Sequence, residues 1–341
     1  MWGALDRIEL GARRSPRLNL ETPSRRKQWL RWAKLLFRVT VLVLVSFGIW
    51  HTVDKALLDL KNRGFAFSEI RPGWLFAAGL FYLAGMLPCW RFWHRTLRVM
   101  GQRPRWQETL RAFYIGHLGK YFPGKALVVV LRTSLVRSRR VDTTVAATSV
   151  FVETLTMMAV GAFVAAALLG ILFRQHSLLL LLAVCLMICA GGPTVPPIFR
   201  RLVRLVGVSK VNPDIESSLA GLDYRLMAFG WITVGLGWWL LGLSLWATLK
   251  AIPTTTPAVI TLYDWPLLTA CVALAMVAGF LSLLPGGIGI REYVVMTLLA
   301  EPYGPGAAAV SAIVLRLVWL LAELALGSVL YAWKPPLDNE P

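Results

Sequence analysis

Charged residues are scarce in this sequence. They make up 16% of the 341 residues, whereas apolar residues make up 57%. Soluble domains typically carry about 25% charged residues, so this chain has too little polar surface to cover itself in water. The mean hydropathy of +0.61 agrees with this reading. The composition therefore excludes an ordinary soluble domain and indicates a membrane protein.

Acidic residues are few compared with basic residues. Eighteen Asp and Glu stand against 36 Lys and Arg, which gives a formal net charge of +18. An excess of this size calls for an anionic partner, either nucleic acid or anionic lipid head groups. The basic residues lie in short stretches between long apolar runs rather than on a soluble domain. The sequence therefore predicts membrane lipids as the partner and no nucleic acid.

Cysteines and catalytic motifs are also sparse. The four cysteines lie within apolar runs, and their spacing indicates no metal site, so we expect neither a metal nor another cofactor. The sequence contains no Gly-x-Ser-x-Gly motif, no His-Glu-x-x-His motif and no phosphate-binding loop. Nothing in the sequence therefore favours an enzyme.

Long apolar runs predict an all-α polytopic membrane protein. A spanning helix needs about 20 apolar residues, and seven segments meet this requirement, some with one or two charges inside. These segments are residues 34–53, 72–90, 143–173, 177–199, 226–249, the first part of 265–290, and 305–333. We expect residues 1–33 to form a basic cytoplasmic tail without a cleavage site, and residues 334–341 to form a short cytoplasmic tail.

Two segments with a Pro-Gly break predict re-entrant hairpins. Residues 106–137 contain two short helices around Pro123-Gly124, and legs of roughly 25 and 20 Å are short for a hydrocarbon core of about 30 Å. Residues 265–301 have a similar outline around residues 284–287, although their first leg is long enough to span. A long helix with a central charge follows each hairpin, which is typical of the inverted repeats of transporters. Two unrelated Pro-Gly breaks are the alternative.

The distribution of basic residues predicts the orientation. If both termini are cytoplasmic, 25 Lys and Arg lie in the inside segments and six in the outside segments. Cytoplasmic loops of membrane proteins carry the excess of Lys and Arg. The sequence therefore predicts that the first hairpin enters from the cytoplasmic side and the second from the opposite side.

Charges inside the predicted membrane segments mark the candidate functional residues, because such charges cost about 2.5–3.5 kcal/mol when unpaired and are usually functional. Glu153 and Arg316 lie near the middle of their helices. We expect them to face each other and to form or gate a polar site, with a purely structural ion pair as the alternative. Glu323 lies on the same face as Arg316, so it either pairs with Arg316 or approaches the cytoplasmic interface.

Basic residues lie beside both breaks. Lys120, Lys125 and Arg132 flank the first one, where free backbone N–H groups at a helix start favour an anion, so we predict a lipid phosphate site there. The alternative is that these lysines only extend toward the head groups. Arg291 and Glu292 follow the second break, where Arg291 is suited to hold a phosphate from the opposite side. A glycine-rich turn at the membrane surface is the alternative there.

These motifs together resemble a known family. The run GKYFPGK at residues 119–125 with Arg132 and Glu153, followed by the run LPGGIGIRE at residues 284–292 and by Arg316, is similar to the transmembrane region of bacterial lysylphosphatidylglycerol synthases. The resemblance covers roughly residues 34–333. It implies a multi-pass protein of the bacterial cytoplasmic membrane that moves a lipid between leaflets. The synthases also carry a C-terminal aminoacyl transferase domain, and its absence after the last predicted helix implies that transferase activity is not expected.

The sequence thus predicts a lipid flippase-like protein that moves an anionic or modified phospholipid. The alternatives are an integral-membrane transferase acting on a lipid-linked substrate and a non-transporting partner of a lipid-synthesis complex. A second copy of the chain or a lipid-synthesis enzyme remains open as a further partner. The candidate binding and translocation residues are Lys120, Lys125, Arg132, Glu153, Arg291, Glu292, Arg316 and Glu323.

Overall fold

The long apolar runs form helices, because inside a membrane every backbone N–H and C=O group must find its partner within the protein. The computed structural model describes residues 70–121, 126–138, 140–172, 191–205, 215–252, 260–282 and 285–333, together with isolated positions between 181 and 188. Five of the described helices are long and apolar enough to cross a membrane. The fold of the described residues is all-α and polytopic, as the sequence predicts.

The described helices have the following bounds. They are α1 (Pro72–Val99), α2 (Trp106–His117), α3 (Ala126–Val136), α4 (Thr143–Leu172), α5 (Pro196–Leu205), α6 (Ile215–Ala220), α7 (Tyr224–Ala251), α8 (Trp265–Leu281), α9 (Ile290–Tyr303) and α10 (Pro305–Ala332). Short 3-10 turns form at Leu118–Tyr121, Gly192–Thr194, Leu262–Asp264 and Pro285–Gly287. The helices of spanning length are α1, α4, α7, α10, and α8 taken together with the 3-10 turn before it, Leu262–Leu281.

These five helices coincide with five of the seven predicted spanning segments. The predicted segment 34–53 and the predicted tails 1–33 and 334–341 lie outside the described residues, as do ten of the 23 residues of segment 177–199, all within 177–190. The predicted end of that last segment is wrong, because a 3-10 turn forms at Gly192–Thr194 and the separate helix α5 begins at Pro196. Proline lacks an N–H group and its ring clashes with the preceding turn of a helix, so Pro193 and Pro196 end the run.

Both predicted breaks separate two helices that pack against each other. We call α2, the turn Leu118–Tyr121 and α3 hairpin 1, and α8, the turn Pro285–Gly287 and α9 hairpin 2. At 1.5 Å per residue, the legs of hairpin 1 are about 18 and 17 Å long. They are thus much shorter than a hydrocarbon core of about 30 Å, whereas the first leg of hairpin 2 has spanning length.

The turns of the two hairpins lie against each other. A Cβ added at Gly286 would lie 3.7 Å from Tyr121 Cδ1 and 3.9 Å from the carbonyl oxygen of Lys120. Gly286, Gly287 and Gly289 have φ angles of 57°, 67° and 85°. Residues with a Cβ rarely adopt this left-handed region, so the glycines of the second break permit the turn that reaches hairpin 1.

Glycines also allow a close backbone contact between two long helices, α1 and α7. A Cβ added at Gly237 would lie 2.7 Å from the carbonyl oxygen of Gly85, and a Cβ added at Gly85 would lie 3.0 Å from the carbonyl oxygen of Gly237. Small residues at helix interfaces let backbones approach in this way in membrane proteins. The contact joins α1 and α7 directly through their backbones.

We expect Gly237→Ala to lower stability, because the added methyl group has no room and overpacking typically costs about 1–3 kcal/mol. Gly235→Ala is a matched control on the same helix, where the nearest neighbour of an added Cβ is Val160 Cγ1 at 3.9 Å. Thermal unfolding in detergent should show a lower Tm for Gly237→Ala and an unchanged or higher Tm for Gly235→Ala, since alanine favours helix. Equal Tm values would contradict the close contact.

Candidate functional site

A cavity of about 290 Å³ lies between hairpin 1, α4 and hairpin 2, and we call it the hairpin cavity. Nine valine, leucine, methionine and phenylalanine side chains from hairpin 1, α4 and α8 form its apolar lining. Its polar side chains come from the same three parts of the fold. They are His117, Lys120, Arg132, Glu153, Thr154 and Arg291. The lining therefore combines three basic groups, one histidine and one carboxylate with a large apolar surface.

Arg132 of α3 pairs with Glu153 of α4 inside the protein. Arg132 Nη1 donates to Glu153 Oε2 at 2.6 Å, and the two side chains are each 2% exposed. The guanidinium also lies over the ring of Phe113, 4.2 Å from its centroid, which is a favourable cation–π arrangement. Gly116 makes room for this side chain, because a Cβ there would lie 2.4 Å from Arg132 Cγ.

Arg316 of α10 reaches the second break. It forms an ion pair with Glu292 of α9, and its Nη2 donates to the carbonyl oxygen of Gly286 at 3.5 Å. The other carboxylate oxygen of Glu292 accepts from the backbone N–H of Gly289 at 2.8 Å, which caps the start of α9. Arg316 therefore ties α10 to the turn and to the second leg of hairpin 2.

The predicted pairing of Glu153 with Arg316 is wrong. Glu153 pairs with Arg132, and Arg316 pairs with Glu292. In both cases the second leg of a hairpin is bound to the long helix that follows it, with the signs of the charges exchanged. Intramembrane charges are expensive, and each of these charges is neutralised by a neighbour in the adjoining segment.

Glu323 of α10 joins the last long helix to the turn of hairpin 1. It forms an ion pair with Lys120 and accepts a hydrogen bond from the hydroxyl group of Tyr82 on α1. Of the two alternatives that the sequence left open, pairing with Arg316 is therefore wrong among the described residues. Glu323 is also 2% exposed, so it is buried inside the protein.

Arg291 lines the hairpin cavity without an anionic partner among the described residues. Its Nε atom is buried and has no hydrogen-bond partner there. Two glycines form a slot around the side chain, because a Cβ at Gly279 would lie 2.7 Å from Arg291 Cγ and a Cβ at Gly287 would lie 2.8 Å from Arg291 Nε. The slot positions a partly buried cation, without an ion-pair partner among the described residues, beside the cavity.

The family comparison places this architecture among known proteins. A model described as the lysylphosphatidylglycerol synthase TM region matches residues 32–327. The chain belongs to this family. The match confirms the resemblance found in the sequence, and it includes every ion pair described above. A comparison with curated proteins finds no match.

Within this family region, the structure groups the candidate site residues differently from the grouping that the sequence predicted. Lys120, Arg132 and Arg291 line one cavity, although the sequence had assigned Arg291 to a separate site on the opposite side. Glu153 lines the same cavity, whereas Glu292 and Arg316 lie beside it in a smaller cavity of about 40 Å³. The remaining candidate, Lys125, lies outside the described residues.

Several site residues of the family region were not among the predicted ones. Tyr82, His117 and Gly279 contact or position the charged groups. A single tyrosine or glycine in an apolar helix carries no distinguishing signal in one sequence. His117 lies three residues before Lys120, so the basic cluster at the first break was the available indication of its role.

Proposed function

We propose that the protein moves an anionic phospholipid between the leaflets of the membrane, with the lipid phosphate held in the hairpin cavity. The observation that carries this proposal is Arg291. It is a cation that lines the cavity and has no anionic partner among the described residues. An intramembrane charge without a partner lowers stability, and such residues commonly mark a substrate path.

The apolar lining supports a lipid as the substrate. Phe151 of α4 lines the cavity and is 54% exposed on the surface of a helix of spanning length, so the cavity borders the surface that faces lipid. A volume of about 290 Å³ lies at the lower end of the usual range for small-molecule sites, about 300–1,000 Å³. It suits a head group, with the acyl chains remaining in the bilayer.

The hairpins supply the path in this proposal. We propose that both are re-entrant, that hairpin 1 enters from the cytoplasmic side and hairpin 2 from the other, and that they form an inverted repeat. Two facts support this: the turns touch at Gly286 and Tyr121, and each hairpin is ion-paired to the helix that follows it. In transporters of this design, binding occurs near the bilayer midplane between the repeats.

We expect Arg291→Gln to slow lipid movement without lowering stability. Hydrogen bonds to charged groups are worth about 1.5–3 kcal/mol, so the loss should be about ten- to a hundredfold. Liposomes containing the purified protein and fluorescent phosphatidylglycerol or phosphatidylcholine are treated with dithionite, and the quenching of inner-leaflet label is timed. Removal of this partly buried cation should leave Tm unchanged or higher, because no ion pair among the described residues is broken.

Arg225→Gln is the matched control, because Arg225 is exposed and does not line the cavity. It should transport at the wild-type rate. The proposal fails if the wild-type protein accelerates the exposure of neither lipid. The role of Arg291 fails if Arg291→Gln transports phosphatidylglycerol as fast as Arg225→Gln does.

A further inference from the structure

A second polar cluster lies directly behind the hairpin cavity, and we call it the Glu323 cluster. It comprises Tyr82, His117, Lys120 and Glu323. Lys120 Nζ and the Tyr82 hydroxyl both donate to Glu323 Oε1, and His117 Nε2 lies 3.8 Å from the same atom. The other oxygen, Glu323 Oε2, is buried and has no hydrogen-bond partner among the described residues. Three neighbours thus gather at one carboxylate oxygen, and Tyr121 of the hairpin 1 turn lies near the same carboxylate.

The cluster and the cavity share two side chains. His117 and Lys120 line the hairpin cavity and also face Glu323. His117 is held by stacking on Phe113, with ring centroids 6.2 Å apart and planes inclined by 14°. Its Nε2 atom is buried without a hydrogen-bond partner among the described residues. The imidazole is therefore placed between the cavity and the carboxylate.

The surroundings of Glu323 are basic. Besides Lys120 and His117, the titratable groups facing it are Tyr82 of α1 and Tyr121 of the hairpin 1 turn, while Arg291 of hairpin 2 and Arg316 of α10 lie close enough to interact electrostatically with Lys120. Arg316 is already paired with Glu292. Lys120 is thus a cavity-lining cation whose charge is neutralised by Glu323, so it attracts an anion in the cavity only weakly while that carboxylate is ionised.

We propose that Glu323 is a proton-binding site of the translocation cycle, and that its protonation releases Lys120 to the lipid phosphate in the hairpin cavity. This inference rests on the proposed lipid translocation. The proton arrives from the cavity by way of His117, whose Nε2 faces the carboxylate, and it adds to Glu323, which makes the carboxyl group neutral. The Lys120 ammonium keeps its own proton and exchanges the carboxylate oxygen for a phosphate oxygen. On release of the lipid, the proton leaves and the ion pair with Lys120 forms again.

The charge balance of this cycle identifies what is transported. One phosphate carries one negative charge, and one proton accompanies it, so the loaded protein moves no net charge. Transport is then driven by a pH difference and is independent of the membrane potential. At steady state, the anionic lipid accumulates in the leaflet that faces the more alkaline compartment, by about tenfold for each pH unit, since one proton moves with each lipid.

The test measures the distribution of fluorescent phosphatidylglycerol between the two leaflets of proteoliposomes under a pH difference of one unit. Potassium and valinomycin hold the membrane potential at zero, and nigericin removes the pH difference in a parallel sample. The steady-state ratio depends on the gradient and not on the direction in which the protein inserts. Protein-free liposomes with the same gradient give the distribution without transport.

We expect a ratio of about ten for the wild-type protein and a ratio near one after nigericin. Glu323→Gln, which keeps an oxygen for Lys120 and Tyr82, should still exchange lipid but with a ratio near one in the gradient. His117→Gln should approach the wild-type ratio more slowly. Arg225→Gln, at an exposed position outside both the cavity and the cluster, is the control and should retain the wild-type ratio.

The outcomes separate this inference from the function on which it rests. Lipid exchange by the wild-type protein with a ratio near one in the gradient overturns the proton site and leaves translocation standing. No exchange under any gradient overturns both. An unchanged gradient response in Glu323→Gln assigns the proton to another group and overturns the role of Glu323. The wild-type measurement decides the question even if a variant does not fold.

Discussion

Arg132→Met is expected to lower the free energy of unfolding by about 3–5 kcal/mol, because it leaves the carboxylate of Glu153 buried without its partner. Both side chains of the pair are 2% exposed, so water cannot replace the lost interaction. Methionine retains apolar contact with Phe113 and Trp93, over whose rings the guanidinium lies. The loss therefore reports mainly on the unpaired charge.

The double variant Arg132→Met/Glu153→Gln tests that reason. It removes the charge that the single variant leaves buried, and exchanging a buried ion pair for neutral groups is often close to neutral for stability. Denaturant unfolding in detergent should place the double variant well above Arg132→Met. If both variants were equally unstable, the loss would come from packing around Arg132 and not from the charge of Glu153. Arg225→Met, at an exposed position, should resemble the wild type.

Chemical blocking of the hairpin cavity is expected to stop lipid movement almost completely. Thr154 of α4 lines the cavity and is partly exposed, so a cysteine there is open to a bulky methanethiosulfonate reagent. The adduct would fill much of a cavity of about 290 Å³. We expect the dithionite quenching rate of Thr154→Cys to fall to that of protein-free liposomes after labelling and to recover after reduction of the mixed disulfide.

Ile171→Cys is the matched control variant, because Ile171 lies on the same helix, is 70% exposed and does not line the cavity. Its labelling should leave transport unchanged. Both variants are made with Cys185 and Cys189 replaced by serine, since Cys185 is exposed. Continued transport by fully labelled Thr154→Cys would show that lipid passes elsewhere, and the cavity model would be wrong.

The sequence predicted the positions of the helices better than it predicted which helices pack against each other. Helices α1, α4, α7, α8 and α10 follow from apolar runs, because about 20 such residues in a membrane have few other choices. A glutamate or arginine inside such a run is visible without a structure, which is why Glu153 and Arg316 were found. Their partners were not found, since periodicity gives the face of a helix but not the helix that packs against it.

The contacts made at glycines could not be predicted from the sequence for the same reason. The glycines of the second break indicated a turn in the sequence. Gly279 and Gly116, however, lie inside helices, where a glycine does not indicate one particular structural role. Their roles depend on the side chains of Arg291 and Arg132, which arrive from other segments. Likewise, Tyr82 becomes a site residue through Glu323, which lies 241 positions away in the chain.

The ion pairs also differ in when they can form as the chain is made. Arg132 and Glu153 are 21 positions apart, and Arg316 and Glu292 are 24 apart, so both partners leave the ribosome within a few seconds of each other at about 5–20 residues per second. Lys120 and Glu323 are 203 positions apart, so Lys120 stays unpaired until the last helix has been synthesised and inserted. Their meeting therefore has to wait until α10 lies beside hairpin 1, long after Arg132 and Glu153 can pair.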